Sequence, residues 1–349
     1  MDIIYFVFLS SGLFLGWSLG SNDAANIFGT AIGTKMVRFR TAAVIASVFV
    51  IIGAVYAGAG TSKTLNDLGS VNALAGSFMV ALSAAATVYW MVKSGIPVST
   101  SQAIVGSIIG WNFYSGNPTD ISVFTKIVST WFLCPLFSAV IAIIIYLAVK
   151  CFLRKSQAHL LKQDCYTRIG LILAGAFGAY ALGANNIANV MGVFVDSNPF
   201  HAVKAGPVVL SGTQILFLIG AIAISVGIFT NSRKVIDTVG KNIMHMSPII
   251  AWIIVVSQSV VLYLFASQGL KNFLIENGLP TLPLVPVSSS QAVIGAVIGI
   301  GLAKGGRDLH WSLLGRIALG WVTTPLASAL FCFISLFFLE NVFNQVVYR

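Results

Sequence analysis

Ten carboxylates occur in the 349 residues, and we place only Asp23 inside a long apolar run. An ionised side chain at the centre of a bilayer costs about 2.5–3.5 kcal/mol on insertion scales, so it is rarely idle. Helical spacing gathers amides around it. Asn22 and Asn26 are four apart, Asp23 precedes Asn26 by three, and Thr30 continues the polar stripe by a turn. Gly20, Gly29 and Gly33 permit close backbone approach or local unwinding of the same segment. A carboxylate, amide carbonyls and freed backbone carbonyls form a hard oxygen set that suits a bare alkali cation. The pattern GSNDAAN at 20–26 returns as GANNIAN at 183–189, which supplies Asn185, Asn186 and Asn189 without the carboxylate. For the amides alone, hydrogen bonding between neighbouring helices is the simpler role.

A second motif, Pro97-Val98-Ser99-Thr100-Ser101-Gln102, is mirrored by Pro286-Val287-Ser288-Ser289-Ser290-Gln291. In both copies three successive hydroxyls precede an apolar, Gly-spaced helix. Ser and Thr at a helix start satisfy orphan amide groups, and that start carries the positive end of the helix dipole. Buried in a membrane, such a start is an anion site of N–H donors, hydroxyls and a Gln amide. Two of them approaching from opposite sides would grip a tetrahedral oxyanion. An ordinary capped helix after a proline explains one copy as well, but explains two copies less easily.

The elements that carry these motifs are membrane spans. Apolar residues make up 57% of the chain and charged residues 9%, and the mean hydropathy is +0.91. A soluble domain of this length would need a polar coat that is not present. Runs such as 121–150, 206–229 and 312–340 have the length that spans a hydrocarbon core. Crossings are expected near 3–34 (interrupted), 41–60, 71–93, 96–112 and 121–150, then near 168–194, 206–229, 246–266, 284–303 and 312–340. The fourth of each five is short and reads as a half-helix, a re-entrant hairpin or a full span.

The chain repeats itself throughout. Besides the two motifs, Trp131, Pro135, Leu136 and Ser138 match Trp321, Pro325, Leu326 and Ser328, and GTSKTL at 60–65 has a weak echo in KVIDTV at 234–239. The tryptophans read as interface anchors and the prolines as helix kinks. The offset grows from 163 to 190 as loops lengthen in the second copy. We therefore divide the chain into a first repeat at 1–149, a basic cytoplasmic linker at 150–167 and a second repeat at 168–349. Five crossings is an odd number, so the second repeat enters the membrane inverted. With the N-terminus outside, only Lys63, Lys126, Lys204, Lys271 and Arg349 of the 20 basic residues fall outside, as the positive-inside rule requires. The expected fold is an all-α integral membrane protein of two inverted-topology repeats, with discontinuous helices or re-entrant hairpins and a site at the repeat interface. The first span follows Asp2 without a basic n-region and reads as retained.

Other classes fit poorly. The net charge of +10 invites a nucleic-acid partner, yet there is no basic helix face and no aromatic stacking platform. Cys134, Cys151, Cys165 and Cys332 lack metal-ligand spacing, and His159, His201, His245 and His310 all fall in connections. The motif serines have no intramembrane His or Lys as base, so an enzyme is not expected. No cofactor is implied beyond a coupling ion, Na+ or H+. Lys63, Thr64 and Thr238 lie near span ends, and snorkelling is the default for Lys63.

At its doubled motifs the sequence resembles the inorganic phosphate transporter (PiT) family of sodium- or proton-coupled carriers. That family carries a GANDxAN-type motif and a Pro-x-Ser-Thr/Ser hairpin in each inverted half. The resemblance covers nearly the whole chain. It implies that Asn22, Asp23, Asn26, Asn185 and Asn189 help to hold coupling cations, with Asp23, Asn26 and Asn189 the set for Na+. It also implies that Ser99, Thr100, Ser101, Gln102, Ser288, Ser289, Ser290 and Gln291 line the oxyanion site. Asn186 stands where the family usually has Asp and joins the candidate cation ligands. Phe49-Val50-Ile51-Ile52-Gly53 lacks the Glu of many members. The expected function is phosphate import by cation symport with alternating access; a sulfate symporter of the same fold is the alternative, and an anion channel a more distant one. The expected setting is the plasma (inner) membrane, multi-pass, with both termini outside, and a homodimer is allowed.

Overall fold

The computed structural model describes residues 3–93, 98–155, 159–205, 208–230, 232, 247–306 and 309–349. Pro97, the echo at 234–239 with Thr238, His245 and the basic residues Arg233, Lys234, Lys241 and Arg307 lie outside the described residues. In hydrocarbon backbone polar groups must be satisfied internally, and the described residues comply by being mostly helical. The helices are α1 (Ile3–Gly33), α2 (Phe39–Ala57), α3 (Ala59–Leu68), α4 (Leu74–Lys93), α5 (Thr100–Ser115), α6 (Ile121–Lys155), α7 (Leu160–Met191), α8 (Gly212–Thr230), α9 (Pro248–Ala266), α10 (Gln268–Glu276), α11 (Ser289–Ala303) and α12 (Trp311–Asn341). A small antiparallel hairpin, β1 (Val203–Ala205) with β2 (Val208–Leu210), precedes α8. Among the described residues eight helices are long and apolar enough to cross a membrane: α1, α2, α4, α6, α7, α8, α9 and α12.

The helices of the fourth expected crossing, α5 and α11, are short. At 1.5 Å per residue, the 16 residues of α5 and the 15 of α11 reach about 24 Å, less than a hydrocarbon core of about 30 Å. Ahead of α11 the chain at 279–288 is non-helical, and residues 284–288 are buried. Its backbone is satisfied by protein, with Val285 N donating to Phe265 O at 3.2 Å and Thr64 Oγ1 to Leu284 O at 2.5 Å. Irregular backbone at membrane depth is tolerated under that condition.

Several expectations need correction. The first span is not interrupted: α1 runs unbroken through the glycines and the polar motif. Gly20 serves packing, since a Cβ there would meet the Ile224 backbone of α8. The stretch 150–167 is chiefly the end of α6 and the start of α7. Lys63 and Thr64 lie on α3, a short helix with the polar sequence AGTSKTLNDL, which a search for long apolar runs passes over. Trp131 and Trp321 bury their indole Nε1 atoms, contrary to an interfacial anchor. The growing offset has two sources, the hairpin before α8 and the α10–288 stretch before α11.

Packing crosses between the halves. The Gly-x-x-x-Gly pair of α5, Gly106 and Gly110, lies on Pro325 and Ala329 of α12, while Gly295 and Gly299 of α11 lie on Pro135 and Ala139 of α6. Small residues let these backbones touch, which is how helices associate where lipid removes any hydrophobic drive. Ser107 and Ser328 hydroxyls meet at 2.6 Å, and Ser138 donates to Ala292 O at 2.6 Å. The prolines thus lie at contact points inside continuous helices. The two motif helices α1 and α7 run antiparallel. Gly12 lies against Phe194 and Val190, Asp23 bonds Asn186, and Phe28 lies against Gly175. α7 and α9 are mostly buried, while α6 and α12 present apolar faces outward.

Candidate functional site

Two helix starts meet in the middle of the molecule. Ser99 caps α5 by accepting from Gln102 N at 3.2 Å, and Ser288 caps α11 by accepting from Gln291 N at 3.3 Å. Ser101 donates to Val287 O at 3.3 Å, and Ser290 donates to Val98 O at 3.1 Å. As one segment advances from 98 to 101 the other retreats from 290 to 287, so the two starts face each other in antiparallel register. The exchange of equivalent contacts is what a two-fold relation between the copies produces.

The asparagines of α1 and α7 bridge to the opposite start. Asn26 Nδ2 donates to Ser289 Oγ at 3.0 Å and Ser290 Oγ at 3.1 Å, and Asn189 Nδ2 donates to Ser101 Oγ at 2.8 Å. Asp23 lies between these bridges. Its Oδ1 accepts from Asn22 Nδ2 at 2.8 Å and its Oδ2 from Asn186 Nδ2 at 3.3 Å, with the Ser289 hydroxyl a further partner. Asn186 Oδ1 in turn accepts from Asn189 Nδ2 at 3.0 Å, and Asn22 Nδ2 also reaches Val98 O at 3.4 Å. One network therefore links the carboxylate to both helix starts. All the candidate residues are buried, the most exposed being Asn26 at 7%.

The polar atoms left over are informative. Buried polar atoms normally find a partner, because an unmet one costs about 1–3 kcal/mol. Here Gln102 Oε1, Gln291 Oε1, Thr100 Oγ1, Asn189 Oδ1 and both amide atoms of Asn185 are buried without one among the described residues. Ser-x-x-Gln at a helix start ordinarily closes a capping box in which the Gln side chain returns to the cap. In both copies the Ser half of the box forms, and the Gln carbonyl stays unengaged. The structure thus brings Asn22, Asp23, Asn26, Asn186, Asn189, Ser101, Ser289 and Ser290 into one bonded cluster. Ser99 and Ser288 are caps, while Asn185, Thr100, Gln102 and Gln291 are buried with open acceptors. Groups of three or more His, Cys, Asp or Glu side chains that could hold a metal ion are absent among the described residues. The hard donors present, one carboxylate with amide and hydroxyl oxygens, fit an alkali cation.

Gln258 was not anticipated. It is fully buried on α9, its Nε2 donates to Asn26 O at 2.5 Å, and its Oε1 has no partner among the described residues. The available signal was an amide amid an apolar span of 19 residues.

Fold and site together define a multi-pass helical membrane protein whose buried hydroxyls, amides and one carboxylate form a single hydrogen-bonded cluster between two helix starts. The chain belongs to the phosphate transporter family, whose model matches residues 19–332 and again 274–347. It is similar to a Methanocaldococcus jannaschii protein named as a phosphate permease, at 30% identity over 321 residues, covering 92% of this chain and 93% of that one. A Bacillus subtilis protein named as a low-affinity inorganic phosphate transporter is 26% identical and is covered to 93%, as is this chain. The fold is shared with a solved structure described as the sodium-dependent phosphate transporter, at a TM-score of 0.73 and 20% identity, covering 96% of this chain and 100% of that one.

Proposed function

We propose that this protein imports inorganic phosphate by sodium or proton symport with alternating access, at the plasma (inner) membrane and with both termini outside. The observation that carries the reading is the reciprocal meeting of the two capped helix starts, bridged by Asn26 and Asn189 to the Asp23 cluster. Antiparallel α1 and α7, which bear the repeated motif, support two inverted repeats with the site between them. Burial of every candidate residue suits a carrier, which never opens to both faces at once.

Phosphate is favoured over sulfate by the open acceptors. Near neutral pH phosphate carries a proton that a carbonyl oxygen can accept, and sulfate carries none. Gln102 Oε1 and Gln291 Oε1, buried at the helix starts and unengaged, are the acceptors for it. Sulfate there would leave them unmet. Asp23, with the amide oxygens of Asn185 and Asn189, supplies the cation ligands. A dianion entering a negative-inside cell opposes about 4.6 kcal/mol per 100 mV, and two monovalent cations cancel that cost.

The test is labelled phosphate uptake into proteoliposomes, with sodium and pH gradients varied separately and sulfate as competitor. Uphill accumulation and counterflow are expected, with little competition. Uptake that neither accumulates nor shows counterflow would indicate a channel, and full competition by sulfate would overturn the substrate assignment. A mass measurement in detergent tests the homodimer.

A further inference from the structure

Away from the site, a cavity of about 280 Å³ opens between the end of α6, the first turns of α7 and the start of α9. Phe152 and Leu153 of α6, Thr167 and Gly170 of α7, and Ile249 and Trp252 of α9 line it. Gly170 shapes the wall by lacking a side chain, since a Cβ there would meet the Trp252 indole. The lining is apolar, yet its immediate neighbours in sequence are basic. Lys150 follows Val149 of the wall, Arg154 follows Leu153, and Lys162 precedes Gln163 of the wall; all three are exposed. Lys150 Nζ lies 5.7 Å from the Tyr146 ring. On this part of the molecule Asp164 is engaged with Arg168 at 3.5 Å, which leaves Lys150, Arg154, Lys155 and Lys162 without an ion pair among the described residues.

An apolar hollow fringed by unpaired cations, on a chain that sits in lipid, has one complementary occupant. The hollow repels a free inorganic anion, and a zwitterionic lipid would leave the fringe uncompensated. The outward apolar face of α6, with Ile144, Leu147 and Phe152 exposed, leads into the hollow, so an acyl chain lying on that face reaches it without crossing water. We infer that the cavity binds one anionic phospholipid, with an acyl chain against Phe152, Leu153, Ile249 and Trp252 and the headgroup phosphate held by Lys150, Arg154 and Lys162. The occupant would touch three helices that build the site. α6 clamps α11 through Pro135 and Ser138, α7 carries Asn185, Asn186 and Asn189, and α9 carries Gln258.

The probe is dioleoyl phosphatidylglycerol, with the phosphatidylcholine of the same chains as comparison, added to the purified full chain in detergent. Native mass spectrometry should retain one phosphatidylglycerol per chain, and thermal unfolding should shift upward with it and not with phosphatidylcholine. Each basic residue near a headgroup contributes about fivefold, so K150Q/R154Q/K162Q together should weaken phosphatidylglycerol about a hundredfold and leave phosphatidylcholine unchanged. Leu153→Trp fills the hollow and should abolish retention of either lipid, while the unfolding midpoint in lipid-free detergent stays at the wild-type value. Should that variant misfold, Thr167→Trp blocks the same space from α7. Equal retention of the two lipids by the wild type, or phosphatidylglycerol binding indifferent to both the charge and the filling variants, overturns the assignment. A second protein chain displaced by the filling variant, in place of lipid, overturns it equally.

Discussion

Asp23→Asn gives the first motif the Asn-Asn-x-x-Asn pattern of the second and removes the carboxylate that holds the cluster together. An asparagine keeps the shape and a carbonyl oxygen that can accept from Asn22 or Asn186. One weakened hydrogen bond in a membrane protein is worth about 0.6 kcal/mol, so the fold should survive with its unfolding midpoint little changed. Transport should change in a defined way. If the carboxylate is what carries one cation per cycle, its loss removes one unit charge from the coupling, worth about 2.3 kcal/mol per 100 mV. The steady phosphate ratio then falls about 50-fold at 100 mV, before the ion's own gradient is counted. The assay is accumulation in proteoliposomes under an inward sodium gradient and an imposed potassium diffusion potential, with the proton gradient run separately. Wild-type accumulation by the folded variant under both gradients would remove Asp23 from the coupling. A variant that fails to fold would show instead that the carboxylate is structural, and would equally refute the reasoning.

Asn26→Ala and Asn189→Ala each cut a bridge to the opposite helix start, and each should raise the phosphate KM about three- to twentyfold from bonds of roughly 0.6–1.7 kcal/mol. An effect confined to one of them would deny the reciprocal site. Gly106→Ala and Gly295→Ala press a methyl group onto the backbone of Pro325 and Pro135, which cannot yield. Each should destabilise by about 1–3 kcal/mol, read as a lower unfolding midpoint, whereas Gly315→Ala, with nothing within 4 Å, should be silent. Gln258→Leu removes the donor to Asn26 O and should raise KM in a folded protein. An unchanged KM would make Gln258 only a packing residue.

Composition and spacing were enough to reveal the membrane setting and the doubled motifs, because each depends on local order along the chain, whereas of the ten crossings expected only eight are helices long enough to span among the described residues. An apolar run of fixed length must span or be buried. Asn22, Asp23 and Asn26 share a helix face wherever that helix lies, and Ser99 and Ser288 cap α5 and α11 from sequence position alone. The pairing across halves was not available in this way. That Asn26 bonds Ser289 and Ser290 while Asn189 bonds Ser101 depends on how α1, α7, α5 and α11 are brought together across more than 80 residues. Small-residue faces such as Gly106–Gly110 advertise a close neighbour without saying which one, and only the packed structure selects α12. Gln258 stayed hidden because its position in the first repeat, Ala84, is apolar, so comparison of the halves carried no signal for it. Likewise α1 stayed helical where an interruption was expected, because its side-chain amides make the cross-helix hydrogen bonds and leave the backbone ladder intact. Chemistry carried by one helix can be read from its own residues; chemistry assembled from four is decided by the packing that brings them together.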